Sequence, residues 1–398
     1  MRYASLTRRI AGEGSDAWAV HDRAVARQIR GDDIILLSIG DPDFETPASI
    51  REAAHAAIER GRTHYSPSGG EPALLEAIAR EATGTLGRPI APANVAVFPG
   101  AQATLYALAQ CLFDHGDEVV VVEPTYVTYE AVIGAPGATM VQVPLRPERS
   151  FHLDPDDLAR AITPRTRALL LNFPHNPTGS SLREAERRAV AELCRRHDLW
   201  LVSDEVYGTL VFDGRHQSPA AWPGMEDRSV VVGSLSKSHA MTGWRCGWAI
   251  GPSELIGHLG TLARAMFFGV AQFIQDAAAE AVAAGDRELA AIRESYRTRA
   301  ALVVGALGEV PGLQARMPDG GMYVFLDVRG TGLEGKRFAA ELLDETGVAV
   351  TPGEGFGPSG AGHVRITLGT GEARLTEACR RIEAWLASRR AVERAGVD

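Results

Sequence analysis

The stretch Ser234-Leu-Ser-Lys-Ser-His-Ala-Met-Thr-Gly-Trp-Arg-Cys-Gly247 is the most informative part of this chain. It follows the apolar run Val230-Val-Val-Gly-Ser, so Lys237 lies where a predicted strand opens into a loop. A lysine in this place can form a Schiff base with an aldehyde once its ammonium has lost a proton. Two serines and an arginine of the stretch are donors suited to a phosphate group. Since most lysines are solvated surface residues, the interpretation depends on the rest of the chain.

The part of the chain around this stretch alternates short β-branched runs with helical segments. Several runs are apolar at nearly every position, as in strands buried on both faces of a parallel sheet. Amphipathic stretches such as Gln102–Phe113 and Arg183–His197 lie between them, which predicts an α/β fold with a mostly parallel seven-stranded sheet between helices. The predicted strands are Val95–Phe98, Glu118–Val122, Ala138–Val143, Arg167–Phe173, Leu199–Ser203, Ser229–Ser234 and Gly247–Ile250.

The region after about Gly285 has a different pattern, which predicts a smaller α+β domain. Residues 41–285 would form the large domain and residues 286–398 the small one. Residues 1–40 would form an N-terminal segment that packs on the small domain and leaves a cleft between the domains. About the first 35 of these residues have a helical and polar pattern. The elements predicted for the small domain are a long charged helix at Arg287–Leu307, a strand at Met322–Val328, a helix at Lys336–Thr346, a strand at His363–Leu368 and a final helix from Gly371.

Composition excludes several classes of protein. The chain has 398 residues and a net charge of -9, which argues against a nucleic-acid surface because such surfaces need clustered basic residues. The 4 cysteines are widely spaced and suggest no disulfide framework, so we expect a reducing compartment. The N-terminus lacks an apolar signal region, and no stretch approaches 18 uninterrupted apolar residues. These features predict a cytoplasmic protein without a membrane anchor.

Two loops after predicted strands have compositions suited to binding a ligand. Pro99-Gly-Ala-Gln-Ala-Thr-Leu105 begins a helix, and its small residues would let a phosphate approach backbone N–H groups at the positive helix end. Asn172-Phe-Pro-His-Asn-Pro-Thr-Gly179 is fixed by two prolines and a glycine, and would direct the amide of Asn176 at the cleft. Each loop taken alone is also typical of a turn that binds nothing.

A third motif, Ser203-Asp-Glu-Val-Tyr207, ends the predicted strand at Leu199–Ser203. Asp204 is a carboxylate at the end of a buried strand, which is costly unless it meets a cation. A protonated pyridine nitrogen would be such a cation, and the phenol of Tyr207 could donate to an oxygen of the same ring. The alternative role for Asp204 is capping the N-terminus of a helix.

Together the four strand ends describe the recognition of pyridoxal 5′-phosphate (PLP). Lys237 would take the aldehyde, and Asp204 would keep ring nitrogen N1 protonated. Asn176 and Tyr207 would bond the 3-oxygen. A protonated ring withdraws electrons from the substrate, and Lys237 could then act as general base. The other predicted cofactor-binding residues, on the phosphate side, are Gly100, Ala101, Gln102, Ser234, Ser236 and Arg245.

These motifs resemble the class I/II aminotransferases of PLP fold type I. The resemblance runs from Gly40-Asp-Pro-Asp-Phe44 to the C-terminal helix, and Asn-Pro-Thr-Gly, Asp-Glu-Val-Tyr and Ser-Leu-Ser-Lys match in order and spacing. It implies that Tyr126 stacks on the pyridine ring and that Gly40 lies against the substrate. It also implies a homodimer in which Tyr65 reaches the phosphate in the other subunit's site.

The resemblance further implies that Arg365 binds the α-carboxylate of the substrate, together with Gly40 and Asn176. The alternation in His363-Val-Arg-Ile-Thr-Leu368 is consistent with this, because it sets Arg365 on the face opposite Val364 and Ile366. A guanidinium fork suits bidentate capture of a carboxylate. Without the resemblance, an exposed arginine on an edge strand would be an equally good interpretation.

Within the family, the chain looks most similar to arginine–pyruvate transaminases in three stretches, which are the N-terminal segment, Tyr-Val-Thr-Tyr-Glu130 and Ser-Lys-Ser-His-Ala-Met-Thr-Gly243. This resemblance implies a ping-pong transfer of the amino group of an L-amino acid, here arginine, to a 2-oxo acid, here pyruvate. A guanidinium substrate would need an acidic partner. Glu13, Asp16 and Asp43 could each serve, and the sequence does not choose among them.

Two other functions are compatible with the same cofactor site. One is a different PLP reaction on this scaffold, such as that of a C–S lyase or an oxygen-using amino-acid oxidase, because the shared core fixes only the cofactor. The other is a PLP-binding regulatory module without turnover. Such proteins usually carry a DNA-binding domain, and no basic helix-turn-helix segment precedes residue 40. The motifs therefore favour the aminotransferase.

Overall fold

The structure of the chain is a computed structural model that describes residues 2–11 and 18–395. Its strands are β1 (Ile35–Leu37), β2 (Val95–Phe98), β3 (Glu118–Glu123), β4 (Thr139–Pro144), β5 (Thr166–Asn172), β6 (Trp200–Asp204), β7 (Ser229–Ser234), β8 (Gly247–Ile250), β9 (Tyr323–Asp327), β10 (Val348–Pro352) and β11 (His363–Thr367). Its α-helices are α1 (Leu6–Arg9), α2 (Ala19–Ile29), α3 (Ala48–Glu59), α4 (Pro72–Leu86), α5 (Ala101–Leu112), α6 (Tyr129–Gly134), α7 (Pro155–Ala161), α8 (Glu184–Arg196), α9 (Ser253–Met266), α10 (Gln272–Ala284), α11 (Asp286–Gly308), α12 (Gly335–Thr346) and α13 (Glu372–Ala395).

The central layer is a seven-stranded sheet in the order β2-β8-β7-β6-β5-β3-β4. Only β8 runs antiparallel to its neighbours, so the predicted α/β class and mostly parallel sheet are confirmed. The valines of β3, at positions 119–122, are at most 3% exposed because helices cover both faces of the sheet. Each predicted strand of this sheet lies within one residue of an observed one at both ends.

A second sheet of four strands has the order β1-β10-β11-β9. Strand β1 pairs in parallel with β10, and β11 pairs antiparallel with both β10 and β9. Helix α2 packs against β10 and α12, so the N-terminal segment lies on this second sheet. Both β1 and β10 were absent from the sequence-based prediction, which had treated the first 35 residues as helical.

Each sheet has its own buried core. Apolar residues from β1 and from β9–β11 pack with helices α11, α12 and α13, around the fully buried side chains of Tyr296 and Phe338. The seven-stranded sheet has one cluster on each face. No helix in the described part of the chain combines the length and apolar character that crossing a bilayer requires.

Candidate active site

The carboxyl ends of four strands of the large sheet lie around one site, as the strand-end motifs predicted. The loops and strand ends after β2, β5, β6 and β7 line a cavity of about 200 Å³. Most of the predicted cofactor-binding residues are thereby brought together. The residues that line the cavity are Ala101, Gln102, Leu105, Tyr126, Asn172, Asn176, Asp204, Val206, Tyr207, Ser234, Ser236, Lys237, Thr242 and Arg245.

Lys237 lies in the loop directly after β7 and is half-buried. Its Nζ donates a hydrogen bond of 2.6 Å to the backbone carbonyl of Gly40. Gly40 also faces Tyr323, because a Cβ at this position would lie 1.8 Å from the tyrosine hydroxyl. The absence of a side chain at residue 40 therefore lets its carbonyl, the lysine amine and the Tyr323 hydroxyl share one small space.

The predicted phosphate end of the cavity is a cradle of glycine backbone, hydroxyls and a guanidinium. Gly100 has φ +84°, and a Cβ there would lie 2.4 Å from Nη2 of Arg245. The residue after it begins α5, whose first N–H groups are free to bind an anion. The hydroxyl of Ser234 donates to that of Ser236 over 3.0 Å. Nη1 of Arg245 donates to the carbonyl of Thr242 over 2.6 Å.

Asp204, the last residue of β6, is 4% exposed and interacts mainly with a tyrosine. The hydroxyl of Tyr129 donates to its Oδ2 over 2.7 Å, and the N–H of Val206 donates to its Oδ1 over 3.3 Å. Burial raises the pKa of Asp204 to about 6, while these two hydrogen bonds lower it. The bond from Val206 closes only a local turn, and the next helical element, a 3₁₀ turn at Gly208–Leu210, has Tyr207 at its N-cap. The helix-capping alternative for Asp204 is therefore wrong.

Arg365 lies in β11, which is between β10 and β9, and is 4% exposed. The alternative of an exposed arginine on an edge strand is therefore wrong. Nη1 donates to Oδ1 of Asn176 over 3.0 Å, and Nη2 donates to the carbonyl of Ser38 over 2.9 Å and to Oγ1 of Thr351 over 3.3 Å. Its Nε is buried and has no hydrogen-bond partner among the described residues. A carboxylate could satisfy this donor.

Two tyrosines that sequence reasoning missed connect these groups. Tyr129 follows Tyr126 by three residues, and the two rings meet edge to face with centroids 5.6 Å apart. Tyr323, at the start of β9, has its hydroxyl 3.1 Å from that of Tyr207 and its ring 4.3 Å from Cζ of Arg365. The three-residue spacing was a usable signal for Tyr129. Tyr323 comes from the other sheet, so only the tertiary structure could locate it.

Tyr65 lies outside the cavity and is 84% exposed in the single chain. Its ring packs on that of Phe268, with centroids 5.3 Å apart. Among the acidic residues considered as partners of a guanidinium substrate, Glu13 and Asp16 lie outside the described residues. Asp43 accepts hydrogen bonds of 2.6 Å and 3.1 Å from Arg299, so its charge is already paired.

Residues 32–382 match the family of aminotransferase class I and II. The chain belongs to this family. A relative in Pseudomonas aeruginosa, arginine–pyruvate transaminase AruH, is 54% identical over 96% of this chain and 97% of its own length. Aspartate/prephenate aminotransferase of Thermus thermophilus is 37% identical over 94% of this chain and 97% of its own length. The resemblance inferred from the motifs is confirmed, and with it the assignment as a transaminase.

Solved structures give the same result for this aminotransferase. Thermus thermophilus aspartate aminotransferase with maleate superposes with a TM-score of 0.91 at 36% identity, over 96% of this chain and 100% of that one. The aromatic aminotransferase from Pyrococcus horikoshii superposes with a TM-score of 0.86 at 38% identity, over 92% and 99% of the two chains. The fold is therefore that of PLP fold type I, and class I and II aminotransferases use PLP as their cofactor.

Proposed function

We propose that this aminotransferase moves the α-amino group of L-arginine to pyruvate by a ping-pong mechanism with PLP. The observation that carries the proposal is that Lys237 and Asp204 line one cavity at the ends of the large-sheet strands. Arg365 donates a hydrogen bond to Asn176, which lines the same cavity. The choice of arginine and pyruvate is supported by the 54% identity to the Pseudomonas relative. A cytoplasmic location is a further prediction from the cysteine spacing.

The residues of the cavity fit PLP. Side chains at residues 100 and 247 would block the phosphate cradle, because a Cβ on Gly247 would lie 2.6 Å from the backbone nitrogen of Ala101. Ser234, Ser236 and Arg245 supply hydroxyl and guanidinium donors beside the free N–H groups of α5. PLP, when bound, supplies a ring that withdraws electrons from the α-carbon of the substrate.

The acid–base roles follow from the polar groups that face the cavity. Asp204 would hold a proton on the pyridine nitrogen, because a buried carboxylate is stabilised by an adjacent cation. Nζ of Lys237, once its proton is lost, would take the proton from the α-carbon of the amino donor. In the second half-reaction it would deliver a proton to the α-carbon of the 2-oxo acid acceptor. The Gly40 carbonyl accepts a hydrogen bond of 2.6 Å from this amine and so helps to hold it in place at the cleft.

Substrate orientation would come from Arg365. Its guanidinium is fixed by Asn176, Ser38 and Thr351, which leaves Nε as the buried donor for a carboxylate oxygen. Both substrates of a transamination carry a carboxylate next to the reacting carbon, so one arginine can orient amino donor and acceptor in turn. Gly40 and Asn176 would complete this substrate site.

We propose a homodimer as the working unit, in which Tyr65 of each subunit contacts the phosphate bound by its partner. The support is that Tyr65 and Phe268 form an exposed aromatic pair on the single chain, 84% and 59% exposed. Symmetric dimers are the commonest arrangement for such self-complementary patches.

A donor panel tests the chemical proposal. The protein loaded with PLP would be mixed with L-arginine, L-alanine, L-aspartate or L-phenylalanine, each with pyruvate or 2-oxoglutarate. We expect arginine with pyruvate to give the highest kcat/KM. A preference for aspartate or phenylalanine would overturn the arginine assignment and leave the transaminase intact.

The lysine variant Lys237→Ala tests the catalytic assignment. It should lose turnover by several orders of magnitude, because nucleophile and base are removed together. Borohydride treatment of the wild-type protein with PLP should label the peptide that contains Lys237. Labelling of another lysine would contradict the assignment of Lys237 as the cofactor lysine.

A further inference from the structure

We propose that Tyr323 is a positioning residue that couples the cofactor contact of Tyr207 to the substrate contact of Arg365. The inference rests on the proposed roles of those two residues. Tyr323 is 3% exposed and starts β9 in the smaller sheet, whereas Tyr207 follows β6 in the larger one. Its side chain therefore crosses from one sheet to the site formed by the other.

The hydroxyl of Tyr323 lies 3.1 Å from the hydroxyl of Tyr207, within hydrogen-bonding distance. If Tyr207 donates its proton to the 3-oxygen of the cofactor, its own oxygen is free to accept the proton of Tyr323. Hydrogen bonds in such a chain strengthen one another, since each donor becomes more acidic when its oxygen accepts. Tyr323 would thus make Tyr207 a better donor.

The ring of Tyr323 has a separate function, which is to support Arg365. Its face lies 4.3 Å from Cζ of the guanidinium, and the ring of Phe356 lies at 4.9 Å. A cation over an aromatic face is attracted by it, and in a desolvated site this attraction is at its strongest. With Asn176 fixing Nη1, the two rings leave the guanidinium one orientation toward the substrate.

Gly40 sets the limit on how Tyr323 can move. A Cβ at residue 40 would lie 1.8 Å from the Tyr323 hydroxyl, so the tyrosine fills the space that this glycine leaves. The carbonyl of the same glycine accepts the proton of Lys237 Nζ. Tyr323 therefore contacts Tyr207 and Arg365 directly, and it packs against Gly40, whose carbonyl binds Lys237.

Two substitutions separate the hydroxyl from the ring. Tyr323→Phe removes the hydroxyl and keeps the ring, and Tyr323→Leu removes both. For Tyr323→Phe we expect a KM for the amino donor within about twofold of wild type, because the ring remains over Arg365. For Tyr323→Leu we expect a KM higher by about 3- to 30-fold. Equal KM values for the two variants would overturn the role of the ring.

The hydroxyl is tested on the resting enzyme, without turnover. The absorbance of bound PLP would be titrated against pH in wild type, Tyr323→Phe, Tyr207→Phe and the double variant. Among the described residues, Tyr126, Tyr129 and Arg365 also interact electrostatically with Tyr207, and all three are unchanged throughout. We expect Tyr323→Phe to raise the midpoint of this absorbance titration by about 0.2–0.6 pH unit. The reason is that Tyr207 becomes a weaker donor to the anionic 3-oxygen of PLP.

The double variant decides whether Tyr323 acts through Tyr207. If it does, adding Tyr323→Phe to Tyr207→Phe should leave the midpoint unchanged, and the two shifts should not add. Additive shifts, or no shift in Tyr323→Phe alone, would overturn the proposal. Arg365→Lys serves as the control for the underlying assignment, since an unchanged KM in that variant would reject Arg365 as the carboxylate ligand whatever Tyr323 does.

Discussion

The buried carboxyl of Asp204 lowers the stability of the cofactor-free protein at neutral pH. Burial raises its pKa to about 6, well above the value of about 3.9 in an unfolded chain. Between these two pH values the native state binds more protons than the unfolded state. The stability of the cofactor-free protein should therefore fall as pH rises from about 4 to about 6. A shift of this size corresponds to roughly 3 kcal/mol at neutral pH.

We predict that Asp204→Asn stabilises the cofactor-free protein at pH 8 by up to about 3 kcal/mol, with a much smaller gain at pH 4.5. The asparagine oxygen can still accept the proton of Tyr129, so the packing is retained. Urea unfolding of both proteins at the two pH values measures the difference. The same variant should bind PLP more weakly. A stability difference that did not change with pH would contradict the explanation.

Residues that act through another residue were the hardest to infer from sequence. Lys237, Asp204 and Asn176 follow strands within recognisable motifs, so their convergence at one sheet edge could be predicted. Tyr323 begins β9 of the other sheet and Ser38 directly follows β1, and both reach the site only through the tertiary packing. Periodicity carries no information about which residue of a second sheet approaches the first.

Among the elements, the strands of the large sheet were predictable because several are apolar at nearly every position and all of them alternate with helical segments. The two strands missed in the small sheet are β1, which has three residues, and β10, which ends in a proline. A run of three residues is too short to show alternation, and β1 gains its hydrogen bonds only by pairing with β10 about 300 residues later. Long-range pairing of this kind leaves no local pattern.

The loop from Gly40 to Thr46 is held by both parts of the molecule. Oδ1 of Asp41 accepts from the Thr242 hydroxyl over 2.8 Å, and the Thr46 hydroxyl donates to the carbonyl of Ala240 over 2.7 Å. On the other side, the side chain of Asp43 pairs with Arg299 of α11. Because Gly40 is part of this loop, the ion pair helps to place the carbonyl that faces the catalytic lysine.

We predict that Asp43→Asn lowers the free energy of unfolding by about 1–3 kcal/mol, less than for a fully buried pair because Asp43 is partly exposed. The KM values for arginine and alanine should rise by similar factors, since the loop and not a guanidinium contact is disturbed. Steady-state kinetics with both donors measures this. A rise for arginine alone would show that Asp43 reads the substrate side chain. Asp198→Asn is the matched control, because the carboxylate of Asp198 is 95% exposed beside Arg228, and it should change stability by less than about 0.5 kcal/mol.

At the scale of the whole molecule, Tyr65 and Phe268 form an exposed aromatic pair on the described part of the chain, and Met266, close by in sequence, is 39% exposed. Phe268 lies two residues after the end of α9 and has φ +65°, with its side chain exposed. An exposed aromatic cluster of this kind on a protein of this size marks a contact surface. The proposed dimer would cover it and bring Tyr65 to the partner's cofactor.

We predict that the wild-type protein sediments as a dimer at assay concentration and that Phe268→Glu dissociates it. A buried charge in the interface would cost several kcal/mol, so activity of the variant should fall and should recover as protein concentration rises. Ile29→Glu is the control, because Ile29 is 81% exposed on α2, far in sequence from the aromatic pair. It should leave both the dimer and the activity unchanged.

Tyr65→Phe should remain dimeric and bind PLP about tenfold more weakly, since it loses one hydrogen bond to a charged group. A monomeric wild-type protein with full activity would contradict the composite site, and the transaminase chemistry would then have to be complete within one subunit.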